Sequence, residues 1–387
     1  MSAPRFTEEL RRAYTGRRVL ITGHTGFKGS WLTLWLAELG AEVTGLALPP
    51  ETKPALFDVM ALRERCQHVE GDIRDPESTA RIVREVRPEF VFHLAAQSLV
   101  SRSYAEPLPT VQTNVLGTAA LLEAIRLGGR PCAAVMVASD KCYENREWVW
   151  GYREDDALGG HDVYSGSKGA AEIITASYRR SFFPPARLCE HQVAIGSARA
   201  GNVIGGGDWA DNRIVPDTIR ALSAERLIPV RNPDAVRPWQ HVLEPLGGYL
   251  LLGARLAAVG TKSPERYCEA WNFGPATEST RRVGELVEAI VGAWGKGNWE
   301  DQHDPSAPHE ASTLRLAIEK SITQLGWTPT WGFEATVART VEWYRLHASG
   351  GTGEELLELS IRQIQDYCGM FGQDGRERRD ERGRTRA

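Results

Sequence analysis

The chain has 387 residues, of which 42% are hydrophobic and 25% are charged, values that are ordinary for a soluble globular protein. A net charge of −4 argues against a dedicated nucleic-acid binder, whose footprint is a strongly basic face. No apolar run approaches the ~18–20 residues of a membrane span, and we see no secretory signal peptide. Six cysteines without C-x-x-C spacing favour a reduced, cytoplasmic protein with no metal site.

The first two hundred residues alternate apolar strands with helical patterns. Strands are predicted at Arg18–Thr22, Ala41–Leu48, Gln67–Glu70, Phe90–Ala96, Ala133–Ser139 and Gln192–Ala200. Helices are predicted at Phe27–Leu39, Pro76–Val86, Val111–Leu127 and Tyr164–Phe182, the first with Phe27, Trp31, Leu34, Trp35 and Leu39 on one stripe. Continuously apolar strands alternating with helices predict an α/β fold with a Rossmann-type doubly wound parallel sheet.

The regular alternation stops after residue 200. Helices are predicted at Val215–Ala224, Val242–Val259, Arg282–Trp294, Leu314–Leu325, Thr336–Ser349 and Glu354–Tyr367, with a last strand at Ala270–Phe273. We therefore expect a Rossmann domain over residues 1–205, with returning segments near 238–275, and a smaller C-terminal substrate-binding lobe, mainly over 206–370. Residues 371–387 are polar and low in complexity, which predicts a disordered tail.

A glycine-rich loop, Gly-His-Thr-Gly-Phe-Lys-Gly, follows the first strand and opens the first helix. Such a loop brings the backbone close to a pyrophosphate at a helix N-terminus. The candidate dinucleotide-binding residues here are Gly23, Thr25, Gly26, Phe27, Lys28 and Gly29. Lys28 either adds positive charge near the phosphates or is a solvated helix residue, and His24 is expected to pack or cap the loop. The end of the second strand does not separate NAD from NADP, whereas Asp72, beside Ile73, is a candidate partner for the adenine amino group.

Tyr164 and Lys168 form a Tyr-x-x-x-Lys pair at the start of a helix, and residues four apart share one helix face. A tyrosine pKa near 10 is too high for a base at neutral pH. The Lys168 ammonium, together with the positive ring of a bound cofactor, is expected to favour the phenolate. Ser139, at the end of the fifth strand, is positioned to bond the same substrate hydroxyl. These three residues predict an acid–base site for alcohol–ketone interconversion.

In this combination the chain resembles the extended short-chain dehydrogenase/reductase superfamily, in its nucleotide-sugar branch, over roughly residues 17–345. Further matching segments are His93–Gln97, Thr113–Thr118, Arg199–Val203 and Arg237–Val242. The resemblance implies NAD as cofactor, held also by Leu94, Ala95, Ala96, Gln97 and Asn114. It implies a nucleotide-sugar substrate contacted by Ser98, Asn202, Trp209, Arg213, Arg237 and His241. Trp209 either stacks on a base or packs the lobe interface, and Arg199 is expected to be structural.

An ionisable pair, Asp140 and Lys141, directly follows Ser139. Epimerases and simple reductases of this branch usually lack such a pair, whereas the 4,6-dehydratases carry one, most often Asp-Glu. The segment Ser139–Trp150 is similar to that of the CDP-glucose 4,6-dehydratases, in which Lys is the usual second residue. The resemblance therefore implies conversion of CDP-glucose to CDP-4-keto-6-deoxyglucose and water, for deoxysugars of bacterial surface polysaccharides such as O-antigen.

The resemblance also implies residue roles. Tyr164 takes the C4 hydroxyl proton, Lys141 removes the C5 proton if its pKa is lowered, and Asp140 protonates the departing C6 oxygen; the last two roles can also be shared or exchanged through a water. It implies a homodimer formed through the helices at residues 111–127 and 164–182. The alternatives are a dehydratase for another nucleotide sugar, a 4-epimerase, or a non-catalytic cofactor-binding protein.

Overall fold

The structure is a computed structural model, and it describes residues 2–302 and 314–371. The helices are α1 (Ala3–Tyr14), α2 (Phe27–Glu38), α3 (Leu56–Val59), α4 (Pro76–Val86), α5 (Val100–Ala105), α6 (Pro107–Val111), α7 (Gly117–Gly128), α8 (Val163–Ser181), α9 (Leu188–His191), α10 (Ile214–Ser223), α11 (Leu243–Leu256), α12 (Val283–Trp294), α13 (Phe333–Ala348) and α14 (Gly353–Met370). The strands are β1 (Arg18–Thr22), β2 (Glu42–Ala47), β3 (Gln67–Glu70), β4 (Phe90–His93), β5 (Cys132–Val137), β6 (Val193–Ala200), β7 (Val203–Ile204), β8 (Ile228–Val230), β9 (Val236–Pro238), β10 (Gln240–His241), β11 (Ala270–Phe273), β12 (Thr280–Arg282) and β13 (Trp299–Asp301). A π-helical turn at Gln112–Leu116 joins α6 to α7.

Seven strands form one parallel sheet in the order β11-β6-β5-β4-β1-β2-β3. In register, Thr22 pairs with Leu46 on one side and with His93 on the other. The strand order therefore reverses at β1, so the crevice between β1 and β4 at the carboxyl edge is the place where this fold binds ligands. The sheet confirms the predicted α/β, doubly wound fold.

Both faces of the sheet are buried. Along β1, Val19 and Ile21 pack into the larger core cluster, whereas Leu20 packs into the cluster on the other side. The helix α2 is buried in the same way, because every residue from Gly29 to Leu36 is shielded from solvent. The predicted single apolar stripe on this helix is therefore wrong, since α2 lies between the sheet side of the core and the helices α11 and α14.

The helix α1 precedes the first strand, where the sequence predicted no element. It buries Phe6, Leu10 and Tyr14 against α11 and α14, and the Tyr14 hydroxyl donates to the carbonyl of Leu250 at 2.6 Å. Phe371, the first residue of the predicted disordered tail, is buried and stacks on Phe6 with ring centroids 3.8 Å apart. The rest of that predicted tail, residues 372–387, lies outside the described residues.

The predicted helix over residues 314–325 is wrong in its first half. Leu316 forms a β-bridge with Tyr152, because the Tyr152 amide donates to the Arg315 carbonyl at 2.8 Å and the Ala317 amide donates to the Tyr152 carbonyl at 2.9 Å. The chain becomes helical only from Glu319. The segment therefore pairs with the loop that follows β5. In that loop Tyr143 and Leu158 form a second, antiparallel bridge.

No helix within residues 2–302 and 314–371 combines the length and the apolarity that crossing a membrane requires.

Candidate active site

In the glycine loop between β1 and α2, Gly23 is required by the fold, whereas Gly26 leaves space for a ligand. Gly23 has a φ of +76°, and a Cβ added there would lie 2.7 Å from the Ala95 amide nitrogen, so the fold itself demands glycine. A Cβ added at Gly26 would meet only the Gly23 carbonyl oxygen, at 3.5 Å. The space in front of Gly26 is therefore open, as expected where a ligand approaches the backbone.

The helix α2 begins at this open space. Its N-cap is Gly26, which has no side chain to cap the helix, and its first turn holds no acidic residue. The free amides and the positive end of the helix dipole thus suit a negatively charged group. Lys28 adds a partly buried ammonium, whose pKa burial lowers to about 8, and its Nζ lies 3.5 Å from the Tyr249 hydroxyl. The loop therefore fits the diphosphate of a dinucleotide cofactor.

Two other predicted cofactor residues make contacts within the protein. The Thr25 hydroxyl donates to the Leu48 carbonyl at 2.9 Å, which ties the loop to the end of β2. Asp72 follows β3 and accepts from the Arg74 guanidinium at 2.5 and 2.8 Å, and this hydrogen bonding lowers the pKa of the Asp72 carboxyl. An adenine amino group at Asp72 would share this carboxylate with Arg74.

His24 packs beneath the loop, as predicted. Its ring is fully buried, and its Nε2 lies 2.7 Å from Nδ1 of His68. A Cβ on Gly45 of β2 would lie within 2.5 Å of the His24 ring, so this glycine makes room for it. His24 therefore supports the loop from the side away from the crevice.

The predicted catalytic residues meet at the carboxyl edge of β5. Ser139 caps a short 3-10 turn at Asp140–Cys142: its hydroxyl donates to Oδ1 of Asp140 at 2.9 Å and accepts from the Lys141 amide at 3.2 Å. The turn packs on α8, which places Tyr164 and Lys168, both buried, beside it. The structure thus brings together the residues that the sequence predicted from three separate motifs.

Burial dominates the electrostatics of this cluster. It raises the pKa of the Asp140 carboxyl, although the charges of Lys141 and Arg237 and the Ser139 hydrogen bond all act to lower it. Burial also raises the pKa of Tyr164 to about 12, against the lowering effect of a hydrogen bond with Ser139. The pKa of Lys168 falls to about 8 for the same reason. The expectation that Lys168 and the positive ring of the cofactor together favour the phenolate stays a prediction, because in the protein by itself desolvation has the larger effect on the Tyr164 pKa.

A buried hydrogen-bond network, which the sequence analysis missed, holds the catalytic helix to the loop after β4. The Asn114 side chain accepts from the Gln97 amide at 2.9 Å and donates to the Gln97 carbonyl at 3.1 Å and the Ser167 hydroxyl at 2.8 Å. The Ser167 hydroxyl in turn donates to the Tyr164 carbonyl at 2.7 Å. Asn114, predicted to bind cofactor, is itself buried in a π-helical turn, a feature frequent at functional sites. Its effect on the site therefore passes through Ser167 and the backbone.

A second network fixes the catalytic turn from below. Arg199 is buried and donates to Oε2 of Glu172 at 2.8 Å and to the Tyr143 hydroxyl at 2.7 Å. The Tyr143 hydroxyl donates to Oδ1 of Asn272 at 2.8 Å. The prediction that Arg199 is structural is confirmed, and Tyr143 links the turn directly to β11.

Three predicted substrate residues lie in the segments that follow β6. Arg213 pairs with Oδ2 of Asp208 at 2.8 Å and reaches the Ser98 hydroxyl at 3.1 Å, so it spans the crevice. Arg237 lies on β9, and its charge acts on the Asp140 carboxyl. Asn202 follows β6, and its carbonyl accepts from the Gln240 amide at 3.2 Å.

Two predicted substrate residues are placed differently. Trp209 packs edge-on against Tyr344 of α13, with ring centroids 5.2 Å apart, and stacking of Trp209 on a base stays a prediction. His241 does not face the crevice, because its fully buried ring lies between Trp31 and Trp331, with centroids 6.0 and 4.9 Å away. Its burial there lowers the His241 pKa to about 3. The predicted substrate contact of His241 is therefore not supported by the structure.

The comparisons with known proteins agree with this arrangement. A family model described as GDP-mannose 4,6 dehydratase matches residues 20–340. The chain belongs to this dehydratase family. This member is 48% identical over 354 residues to a CDP-glucose 4,6-dehydratase of Salmonella typhimurium strain LT2, an alignment that covers 92% of this chain and 97% of the relative. The predicted resemblance to nucleotide-sugar 4,6-dehydratases is thereby confirmed.

Solved structures of similar fold include both dehydratases and epimerases. DesIV, a dTDP-glucose 4,6-dehydratase from Streptomyces venezuelae solved with NAD and TYD bound, has a TM-score of 0.72 and 26% identity, covering 86% of this chain and 98% of its own. The epimerase Mth375 from Methanothermobacter thermautotrophicus also has a TM-score of 0.72 and 26% identity, covering 89% of this chain and 96% of its own. The fold is thus common to both reactions, so the residues at the site must separate them.

Proposed function

We propose that this chain is a CDP-glucose 4,6-dehydratase, which converts CDP-glucose to CDP-4-keto-6-deoxyglucose and water with NAD as a recycled cofactor. The observation that carries the proposal is the turn in which Asp140 and Lys141 directly follow Ser139 and pack on the helix of Tyr164 and Lys168. Water elimination needs an acid and a base beside the group that oxidises the sugar alcohol. The identity of 48% to a CDP-glucose 4,6-dehydratase supports CDP-glucose as the substrate.

The first step is oxidation at C4. NAD+, held at the glycine loop, would supply the hydride acceptor for C4 and, once reduced, the hydride donor for C6. Tyr164 and Ser139 hold the C4 hydroxyl, and the Tyr164 phenolate takes its proton as the ketone forms. Burial by itself raises the pKa of Tyr164 to about 12, so the phenolate forms only with help from positive charge beside it. The neighbouring Lys168 supplies the positive charge that stabilises the phenolate.

The second step is loss of water. The C4 ketone acidifies the C5 proton, which Lys141 removes in this proposal. Asp140, whose pKa is raised by burial so that its protonated form is favoured, donates a proton to the C6 oxygen as the C–O bond breaks. When C6 is reduced, Lys141 returns its proton to C5. Tyr164 gives up the proton it took from the C4 hydroxyl and Asp140 takes one up, so no net proton is gained or lost, the enzyme is back in its starting state, and water is the only by-product.

The nucleotide end of the substrate lies between the lobes in this proposal. Arg213 and Arg237 offer guanidinium groups to the diphosphate, which they are able to bind in bidentate fashion. Ser98 and Asn202 supply further polar contacts at the crevice. His241 is left out of the binding set because of its burial between two tryptophans.

We also propose a cytoplasmic homodimer that supplies deoxysugars for surface polysaccharide such as O-antigen. Large apolar side chains are exposed on the two segments that the sequence analysis assigned to a dimer interface: Leu116 is 58% and Ile173 is 53% exposed. Pairing these faces in a second copy would remove them from water. All six cysteines are free in the structure, which supports a reducing compartment.

The test is to incubate the protein with NAD+ and, separately, CDP-glucose, dTDP-glucose, GDP-mannose and UDP-glucose, and to follow each sugar by mass. Loss of one water from CDP-glucose is expected, and the matched variant Tyr164→Phe is expected to bind NAD+ but to leave the substrate intact. Loss of water only from another nucleotide sugar would overturn the substrate. No loss from any of the four would overturn the dehydratase proposal.

A further inference from the structure

A second cavity lies at the amino-terminal edge of the sheet, on the side opposite the active site. It has a volume of about 300 Å³ and opens between the carboxyl ends of α4 and α7, where β4 and β5 begin. Its floor is apolar and is formed by Val83, Pro88 and Ile125, whereas the exposed Leu127 borders its mouth. Because β5 is six residues long, the cavity is about 20 Å from the catalytic turn at the other end of this strand.

Three arginines, Arg84, Arg87 and Arg130, line this cavity. Among residues 2–302 and 314–371, no carboxylate lies within ion-pair distance of any of them. The acidic residues nearby are engaged elsewhere: Glu85 pairs with Arg81, Glu89 with Arg17 and Arg18, and Glu123 with Arg126. All three are exposed side chains at the rim of the cavity, and they have no carboxylate partner, whereas many arginines of this chain do have one.

A structural explanation for these charges is that they offset the negative ends of α4 and α7. The negative charge of the two helix ends is too small to offset all three arginines. Each helix end carries about half a negative charge, so two ends provide about −1, against +3 from the guanidinium groups. A surplus of about two positive charges remains over an apolar floor, and this surplus suits a ligand that is both anionic and apolar.

The geometry points to a binding site for a small organic anion, one with a carboxylate, sulfonate or phosphate group attached to a ring or a short apolar chain. The anionic group would take hydrogen bonds from Arg84, Arg87 and Arg130, whose forked donors match planar and tetrahedral oxyanions. The apolar part would cover Leu127, which is 61% exposed although it borders buried Ile125. This site is separate from the nucleotide-sugar crevice and does not depend on the proposed function.

The test uses the NAD+-loaded enzyme, so that the dinucleotide site is filled, and titrates it with 8-anilinonaphthalene-1-sulfonate. We expect one saturable site per chain, competition by inorganic phosphate, and weaker binding of the uncharged analogue N-phenyl-1-naphthylamine. The triple variant R84Q/R87Q/R130Q is expected to weaken binding of the sulfonate by about tenfold or more. The matched control Arg81→Gln lies on the same helix and leaves the cavity unchanged, so its affinity should equal that of the wild type.

A second variant tests the same site without changing any of the three arginines. Leu127→Asp places a carboxylate at the mouth of the cavity while all three arginines stay, and it should also abolish the site. Absence of saturable binding, or unchanged affinity in either variant, would overturn the proposal. Equal binding of the charged and uncharged probes would overturn it too, since the arginines would then play no part. Both variants should keep wild-type turnover, which shows that they are folded.

Discussion

The carboxyl group of Asp140 lies directly against the backbone of Gly201: a Cβ added to Gly201 would be 2.8 Å from Oδ2 of Asp140. Gly201 follows β6, and Asp140 follows β5, the neighbouring strand. One oxygen of the carboxyl accepts from Ser139 while the other faces this glycine. The Asp140 carboxyl is therefore held between a hydroxyl and a backbone position at which an added side chain would displace it.

The variant Gly201→Ala should disable the acid without unfolding the enzyme. The Asp140 carboxyl is the end of a flexible side chain, so it can move away at little energetic cost. A displacement of about 1 Å in a catalytic group costs up to about 10²-fold in rate. We expect kcat for water loss to fall by about that factor, with NAD+ affinity unchanged. The control is Gly292→Ala on α12, where an added Cβ meets nothing; wild-type kcat in Gly201→Ala would show that Asp140 does not need this position.

Lys141→Ala should separate the two halves of the reaction. Tyr164, Ser139 and Lys168 are untouched, so C4 oxidation is expected to proceed and reduced cofactor to accumulate. Water loss should be slowed by about 10²–10⁴-fold, the range for removal of a general base. The measurement is exchange of the C5 proton with deuterated solvent, together with absorbance of the reduced cofactor. Wild-type exchange in the variant would assign the C5 proton to another group.

Ser167 is expected to act as a positioning residue, because its hydroxyl links Asn114 to the backbone of Tyr164. Ser167→Ala should reduce kcat while changing KM little, and should lower the free energy of unfolding by about 1–3 kcal/mol, since Asn114 loses a buried partner. Ser167→Thr keeps the hydroxyl and should restore most of the kcat. Ser177→Ala on the same helix removes an exposed hydroxyl and is the control. A purely structural role would be indicated by loss of stability with unchanged kcat.

Acid should destabilise the protein through its buried histidines. Burial lowers the pKa of His93 and of His241 to about 3, from 6.5 in the unfolded chain. Between these values the unfolded state binds more protons, so the free energy of unfolding falls as pH drops from about 6.5 towards 3. At pH 5 the loss is about 2 kcal/mol for each histidine. Asp140 acts in the opposite sense, because its raised pKa lets the folded state keep a proton.

The variant His241→Phe isolates one histidine from the other titrating groups. It is expected to be less stable at neutral pH, since the Leu243 amide loses its acceptor. However, the variant should lose about 2 kcal/mol less than the wild type between pH 7 and pH 5. Urea unfolding at the two pH values measures this difference. Equal losses in both proteins would mean that His241 does not titrate on unfolding.

The parts of the fold that the sequence predicted well are those whose structure depends on residues close together in the chain. The glycine loop is bounded by its own strand and helix, and Tyr164 and Lys168 are placed by the helix that contains them. The helix α1 was missed because its partners are distant in sequence: Tyr14 bonds to Leu250. The segment at Leu316 is not helical because it pairs with Tyr152, a contact that its own residues do not encode.

The site was predicted less completely for a related reason. His241 belongs to a matching motif, but Trp31 and Trp331 bury it, and only the folded chain brings those rings together. The Tyr164 pKa depends on how completely the surroundings exclude water, which the spacing to Lys168 does not specify. The role of Gly201 was likewise invisible, because it arises from contact between adjacent strands.

The central claim is that one active site moves a hydrogen from C4 to C6 of the sugar while water leaves. The most direct measurement uses CDP-glucose carrying deuterium at C4 and locates the label in the product by NMR. We predict that the product has lost one water and carries the deuterium at C6. Adding unlabelled NADH to the reaction should not lower the deuterium content of the product. Deuterium found again at C4, without loss of water, would contradict a dehydratase and indicate a 4-epimerase.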